Sequence, residues 1–322
     1  MREAVFLKQN VERWKSYEKP VDDPDIIAER FIALTDDLAY AKTFYPGSKT
    51  VKYLNSLAAD IHLAIYKNRK EKKNRFFEFW KTELPLVMAR NQKALLYSFL
   101  FFMSFVLIGV LSAKYDDGFI RLILGDGYVD MTNANIEKGD PFGVYKQQDP
   151  LFMFMAIAMN NIFVSFMVFV EGVFFGVGTV YGLFRNGVML GSFQYYFFMH
   201  GLGLQSILVI FIHGTLEISA IVIAGAAGII LGNSILFPGT LPRSYSVKKG
   251  AADGIKIMMG LVPVFIVAAF FEGFVTRHTE MPVWISVFIL FASALFITWY
   301  FVIYPKQVLN KTHEFNLATK EE

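Results

Sequence analysis

The chain has 322 residues, of which 54% are hydrophobic and 16% aromatic, and its mean hydropathy is +0.41. Soluble domains are seldom this apolar, so the composition is typical of a polytopic membrane protein. A formal net charge of +3 is too small to indicate a nucleic-acid partner. The chain contains no cysteine, which excludes disulfide bonds, thiol catalysis and cysteine-ligated metal sites.

Residues 1–93 are predicted to form a cytoplasmic helical region ahead of the membrane. Apolar residues recur at helical spacing in two stretches, residues 25–40 and residues 51–65. Between them, Pro46-Gly47 interrupts the helical pattern. The periodicity therefore predicts an N-terminal helical bundle.

A basic run closes this region and is followed at once by an aromatic segment, residues 76–80. One interpretation is a solvated helical face. The other is an interfacial stretch, in which basic side chains face anionic lipid and aromatic rings are embedded. We favour the second, because the run directly precedes the first apolar segment. Its predicted lipid-facing residues are Lys67, Arg69, Lys70, Lys72, Lys73 and Arg75.

The rest of the chain is predicted to be a transmembrane domain, residues 94–305, with a tail at 306–322. About 20 apolar residues cross a bilayer as a helix, and the apolar segments predict about six spans. A tight turn at Arg185-Asn186 is predicted before a third span that is short or tilted. Residues 114–150 are predicted to be an acidic extracytoplasmic loop with a short helix near residues 119–124. The predicted spans are residues 94–113, 162–184, 187–200, 206–236, 255–276 and 283–304.

The distribution of Lys and Arg predicts the orientation of these spans. With six crossings, the basic run before the first span, Arg185, the loop after the fourth span and the tail all fall on one side. Cytoplasmic loops carry the excess of positive charge, so both termini are predicted to be cytoplasmic.

Several polar side chains interrupt the apolar spans. His213 and Glu217 are four residues apart and share one helix face. A charged group in lipid costs roughly 2.5–3.5 kcal/mol on insertion scales, so it indicates a functional site by default. The predicted intramembrane polar site consists of Glu171, His213, Glu217, Glu272, Asn160, Asn161 and Asn186.

Three interpretations of these polar residues remain open. They form a buried hydrogen-bond network that specifies the helix arrangement, a path for protons, ions or small solutes, or a metal or hydrolytic site. Against the last, only one histidine lies deep in a span and no HExxH motif occurs. The sequence identifies no catalytic residue and no cofactor.

The order of the short motifs resembles a known family. In chain order they are Asn160-Asn161, Glu171-Gly172, Gly176-Val177-Gly178, Asn186-Gly187, His213-Gly214-Thr215-Leu216-Glu217, Ala224-Gly225-Ala226-Ala227-Gly228, Pro238-Gly239 and Glu272-Gly273-Phe274-Val275-Thr276. Together they resemble the stage II sporulation protein M (SpoIIM) family. Residues 34–46 are similar to the cytoplasmic extension of its longer, non-sporulation members.

This resemblance implies a polytopic protein of the bacterial cytoplasmic membrane. The sporulation member works with partners that degrade peptidoglycan during engulfment, as a membrane component and not as the hydrolase. The present chain has a much larger N-terminal region, so its partners are expected to differ. The resemblance transfers no catalytic residue.

The first functional hypothesis is therefore a non-enzymatic scaffold that couples cytoplasmic partners to envelope or peptidoglycan-related processes. The alternatives are a transporter or channel that uses Glu171, Glu217 and Glu272, and an intramembrane metal-dependent hydrolase. Expected partners are the lipid bilayer and proteins on the cytoplasmic side. The Gly-rich helix faces also allow a homo-oligomer.

Overall fold

The computed structural model describes residues 2–19, 21, 23–67, 75–146, 149–278 and 281–318. Every regular element within these ranges is helical, which confirms the all-α prediction. The chain divides into two compact units, Met1–Arg75 and Phe76–Glu322.

The N-terminal unit contains three helices that follow the predicted periodicity. At the start of the second helix, Asp23 accepts a hydrogen bond from the backbone N–H of Asp25 at 3.0 Å, and Pro24 occupies the first turn. Gly47, with φ +79°, lies in the predicted break. The helices are α1 (Glu3–Tyr17), α2 (Pro24–Phe44) and α3 (Lys49–Lys67).

A core of its own holds this unit together. Trp14, Leu34 and Leu54 are fully buried and belong to one hydrophobic cluster. The indole Nε1 of Trp14 donates to Asp37 Oδ2 at 2.7 Å, and Arg13 pairs with the same oxygen at 2.5 Å. The buried indole N–H is thus satisfied, which removes the cost of burying it unpaired.

The second unit contains the remaining helices. Several of them are extended by short π or 3-10 turns, which are Phe79–Glu83, Glu171–Val173, Phe271–Val275 and Trp299–Ile303. A separate 3-10 turn is Gly143–Lys146. The α-helices are α4 (Arg75–Glu78), α5 (Leu84–Arg90), α6 (Gln92–Tyr115), α7 (Asp117–Leu124), α8 (Asp126–Glu137), α9 (Pro150–Val170), α10 (Val177–Met199), α11 (Gly203–Leu236), α12 (Arg243–Phe270), α13 (Val283–Thr298) and α14 (Tyr304–Ala318).

Five helices in the described ranges are long and apolar enough to cross a membrane, which confirms the polytopic prediction. α10 is not one of the five, although its 23 residues extend about 34 Å at the helical rise of ~1.5 Å per residue. It carries the polar residues Arg185, Asn186 and Gln194. The five are Gln92–Tyr115, Pro150–Val173, Gly203–Leu236, Arg243–Val275 and Val283–Thr312.

The predicted turn at Arg185-Asn186 was wrong. The chain turns between α9 and α10, where Phe175 and Gly176 have φ of +56° and +81°. Arg185 and Asn186 lie within α10, and the side chain of Asn186 donates to the carbonyl of Gly182 at 2.8 Å. Gly176, in the left-handed conformation, makes the turn. α10 therefore has 23 residues, whereas the predicted third span, residues 187–200, has about 14.

Within residues 114–146, α7, α8 and the 3-10 turn Gly143–Lys146 form a helical cap on the ends of α10 and α11. The short helix expected near residues 119–124 is part of α7, and Asp116 caps its N-terminus by accepting from Gly118 N at 2.9 Å. The hydroxyl of Tyr196 donates to Asn133 Oδ1 at 2.5 Å. Apolar residues of the cap, including Phe142, share a core with α10 and α11.

Residues 76–90 pack against the long helices of the second unit. Leu84 and Met88 are buried in the same cluster as Phe265 and Phe301. The hydroxyl of Tyr300 donates to the carbonyl of Trp80 at 2.8 Å. The predicted start of the membrane domain at residue 94 stays a prediction.

The predicted lipid-facing stretch falls largely outside the described residues. Arg69, Lys70, Lys72 and Lys73 lie in the undescribed range 68–74, and Lys67 and Arg75 border it. Directly after it, Phe76 and Phe77 are 71% and 70% exposed. An interfacial role for the whole stretch stays a prediction.

Glycines bring the long helices into backbone contact. A Cβ on Gly191 of α10 would lie 2.2 Å from the carbonyl oxygen of Val106 on α6. A Cβ on Gly172 would lie 2.3 Å from the carbonyl oxygen of Gly228 on α11. No side chain fits in either gap, so small residues set the helix separations, as they commonly do in membrane proteins.

We expect Gly191→Ala and Gly228→Ala to destabilise the second unit by about 1–3 kcal/mol, because the added methyl group must push helices apart. Thermal unfolding in detergent measures the change. Gly127→Ala is the matched control, since a Cβ there meets nothing within 4 Å. A Gly191→Ala protein that unfolds at the same temperature as the unmodified chain would contradict this packing.

Candidate intramembrane polar site

Two helical segments bring three ionisable side chains together in the second unit. His213 and Glu217 lie one turn apart on α11, and Glu272 lies in the π turn that ends α12. The Nε2 atom of His213 is 3.8 Å from Glu272 Oε2. One nitrogen or oxygen atom from each of the three residues lies within 4.8 Å of the other two. We call His213, Glu217 and Glu272 the polar triad.

The π turn Phe271–Val275 places Glu272 next to α9. Single π turns insert an extra residue into a helix and redirect the side chains beside it. Gly273 lies close to α9, since a Cβ there would be 3.2 Å from both Pro150 O and Phe154 Cβ. The glycine in this turn thus lets the carboxyl of Glu272 lie beside the polar face of α9.

Close polar contacts connect the members of the triad, and a hydrogen bond connects the triad to α9. The side-chain amide of Asn161 donates to Glu217 Oε1. The carboxyl groups of Glu217 and Glu272 each place an oxygen within 4.8 Å of the other and of the His213 imidazole. α9, α11 and α12 are therefore joined by one polar network.

Thr276 completes the network, and the sequence analysis did not assign it to the site. Its hydroxyl Oγ1 lies 2.9 Å from His213 Nδ1, and the residue is 1% exposed. The sequence feature that could have assigned it is its spacing. Thr276 follows Glu272 by four residues, and residues four apart share a helix face.

A recess of about 350 Å³ gives access to the two carboxyl groups. Asn160 is exposed at this recess, and its amide donates to Asn161 Oδ1 at 3.4 Å. The side chain of His213 is only 5% exposed, against 16% for Glu272. The lining residues are Ala156, Ile157, Asn160, Asn161, Glu217 and Glu272.

Glu171 and Asn186 lie apart from this network. The carboxylate of Glu171 lies against Gly182 of α10, and the neighbouring Gly172 contacts Gly228. Gly228 follows Glu217 by eleven residues on α11, which is about 16 Å along the helix. Asn186 bonds within its own helix. Of the seven predicted polar residues, five therefore converge, and the geometry does not support one shared site for all seven.

The converging groups are able to share a proton or to hold a cation. They offer one imidazole nitrogen and two carboxyl groups, together with two side-chain amides. Among the described residues this is the one group of three or more His, Asp or Glu side chains whose ligand atoms approach so closely. The arrangement provides an acid–base or metal-binding chemistry in an apolar interior.

Comparison with known proteins agrees with the motif order. Residues 98–277 match the family model described as Stage II sporulation protein M, which covers the whole polar network. Residues 4–67 match a domain of unknown function, DUF8413, which covers α1 to α3. No curated protein and no solved structure matches the chain. The resemblance seen in the sequence is thereby confirmed.

Proposed function

Because this chain belongs to the SpoIIM family and has several membrane-length helices, we propose that it is a non-enzymatic membrane component. It couples cytoplasmic partners to envelope or peptidoglycan-related processes. The observation that carries this proposal is the separate N-terminal unit, which has its own hydrophobic core and its own domain match. A unit that is not needed to complete the membrane domain is suited to binding other proteins.

A groove on the N-terminal unit supports partner binding. Its volume is about 480 Å³, and it combines apolar residues with charges of both signs. The hydroxyl of Tyr53 donates to Glu18 Oε1 at 2.8 Å, and burial together with this bond raises the pKa of Tyr53 to about 12. The lining residues are Leu7, Val11, Trp14, Lys15, Glu18, Lys49, Thr50 and Tyr53.

The proposed location is the bacterial cytoplasmic membrane, with both termini in the cytoplasm. The distribution of Lys and Arg supports it, provided that α10 crosses the membrane with the five more apolar helices.

Since the chain has no cysteine, single cysteines report sidedness without background. An impermeant maleimide should label Gly127→Cys from outside intact cells and leave Lys311→Cys unlabelled; the reverse pattern would refute the orientation.

Removing residues 2–67 should abolish co-purification of the cytoplasmic partners, because it deletes all three helices of the N-terminal unit. The remaining chain should still insert, since its core contains no residue from the deleted part. The measurement is the set of proteins that co-purify from detergent-solubilised membranes.

Charge reversal in the groove provides a finer version of this experiment. Lys15→Glu together with Lys49→Glu should weaken partner binding, because both residues line the groove. The matched control is Lys42→Glu, at an exposed position of α2 outside the groove. In the deletion experiment, a chain that lacks residues 2–67 and still retains every partner would rule out the coupling role of this unit.

The convergence of polar groups at a recess favours a second candidate function, transport of protons or cations. Ionisable groups at membrane depth commonly form such paths. The candidate residues are Glu217 and Glu272, which line the recess; Glu171 lies elsewhere.

If the chain transports protons or cations, Glu217→Gln should abolish flux in reconstituted vesicles, because it removes the titratable group from the recess. Glu171→Gln is the matched control and should retain flux. Proton movement is read with a pH-sensitive dye, and cation movement with ion-selective dyes. Flux that survives Glu217→Gln unchanged excludes this path.

A further inference from the structure

The donor atoms of the polar triad match the preferences of a particular class of ion. One imidazole and two carboxylates suit divalent transition metals such as zinc, whereas Mg²⁺ and Ca²⁺ prefer oxygen ligands throughout. The triad is drawn from α11 and the π turn after α12, so the ligands come from two packed segments and not from one flexible loop. Rigid elements hold metal ligands well.

The distances leave room for an ion with little rearrangement. A tetrahedral zinc site with bonds of about 2.0–2.1 Å places its ligand atoms about 3.3 Å apart. His213 Nε2 and Glu272 Oε2 are 3.8 Å apart, and all three ligand atoms lie within 4.8 Å of one another. The glutamate side chains have several rotatable torsions, so changes of rotamer at Glu217 and Glu272 are able to close this difference.

Neighbouring side chains orient the ligands as they do around known metal sites. With its proton on Nδ1, His213 donates to Thr276 Oγ1 at 2.9 Å and directs the lone pair of Nε2 toward the carboxyl groups. Asn161 donates to Glu217. Such outer contacts fix the tautomer and the carboxylate rotamer, and their loss typically weakens metal binding by about 10–100-fold.

Charge balance also favours a divalent cation. Two ionised carboxylates with oxygens within 4.8 Å of each other repel in an apolar interior. A divalent ion bound by two carboxylates and a neutral imidazole gives a site with no net charge. The bilayer interior penalises net charge, so an ion that neutralises both carboxylates suits these surroundings.

The recess supplies access and a further coordination position. Three protein ligands leave the fourth position of a tetrahedral ion for water or for a bound molecule. Both carboxyl groups line the recess, with the amides of Asn160 and Asn161 beside them. An ion is thus able to reach the carboxyl groups from the recess while His213 binds it from the buried side.

We propose that His213, Glu217 and Glu272 bind one zinc-class divalent metal ion, oriented by Thr276 and Asn161. This goes beyond the proposed coupling function, which requires no metal. The ion joins α11 to the end of α12 and so stabilises the arrangement of the long helices.

The test uses the full chain purified in detergent, stripped with a chelator and titrated with zinc. Calorimetry and elemental analysis after gel filtration should give one zinc per chain, and zinc should raise the unfolding temperature. His213→Gln and Glu272→Gln should weaken binding by at least 100-fold, and Thr276→Val by about 10–100-fold. His200→Gln and Glu171→Gln are matched controls and should bind like the unmodified chain.

Absence of stoichiometric zinc from the unmodified chain overturns the proposal, as does equally tight binding by His213→Gln. Thr276→Val keeps all three ligands, so it tests the arrangement even if a ligand variant fails to fold. Zinc binding that Thr276→Val leaves unchanged contradicts the proposed orientation of His213. Partner co-purification is a separate readout, so its loss or retention does not affect this outcome.

Discussion

Ionisable groups within an apolar helical bundle must be paired, because an unpaired buried charge costs several kcal/mol. His213, Glu217 and Glu272 meet this requirement through one another and through Asn161 and Thr276. Their contacts join α9, α11 and the end of α12. A shift of one helix past its neighbour by a turn would leave several of these groups unpaired, so the network restricts the bundle to one register.

Close helix packing makes the network possible. Gly172 and Gly228 bring the end of α9 to backbone contact with α11, and Gly273 brings the π turn to the start of α9. With larger residues at these positions, Asn161 would lie too far from α11 to donate to Glu217, and Glu272 would lie too far from it to approach His213. The glycines and the polar residues are therefore two parts of one arrangement, although they lie far apart in sequence.

Local spacing predicted part of this site and missed the rest for identifiable reasons. The pair His213 and Glu217 follows from helix periodicity, because residues four apart share a face. The distances to Glu272 and Asn161 depend on how separate helices pack, which periodicity does not report. The turn at Gly176 was missed because the apolar run 151–184 has several glycines and no sign of which one adopts positive φ. Glu171 was grouped with the others by residue type alone.

The most direct measurement is a double-mutant cycle between α9 and α11, using Asn161→Leu and Glu217→Leu with thermal unfolding in detergent. If the two side chains form one network, the double variant should be less destabilised than the sum of the single variants, by about 0.5–3 kcal/mol. Asn161→Leu with Glu171→Leu is the matched pair and should be additive within about 0.5 kcal/mol. Strict additivity of Asn161→Leu and Glu217→Leu would contradict the connected network.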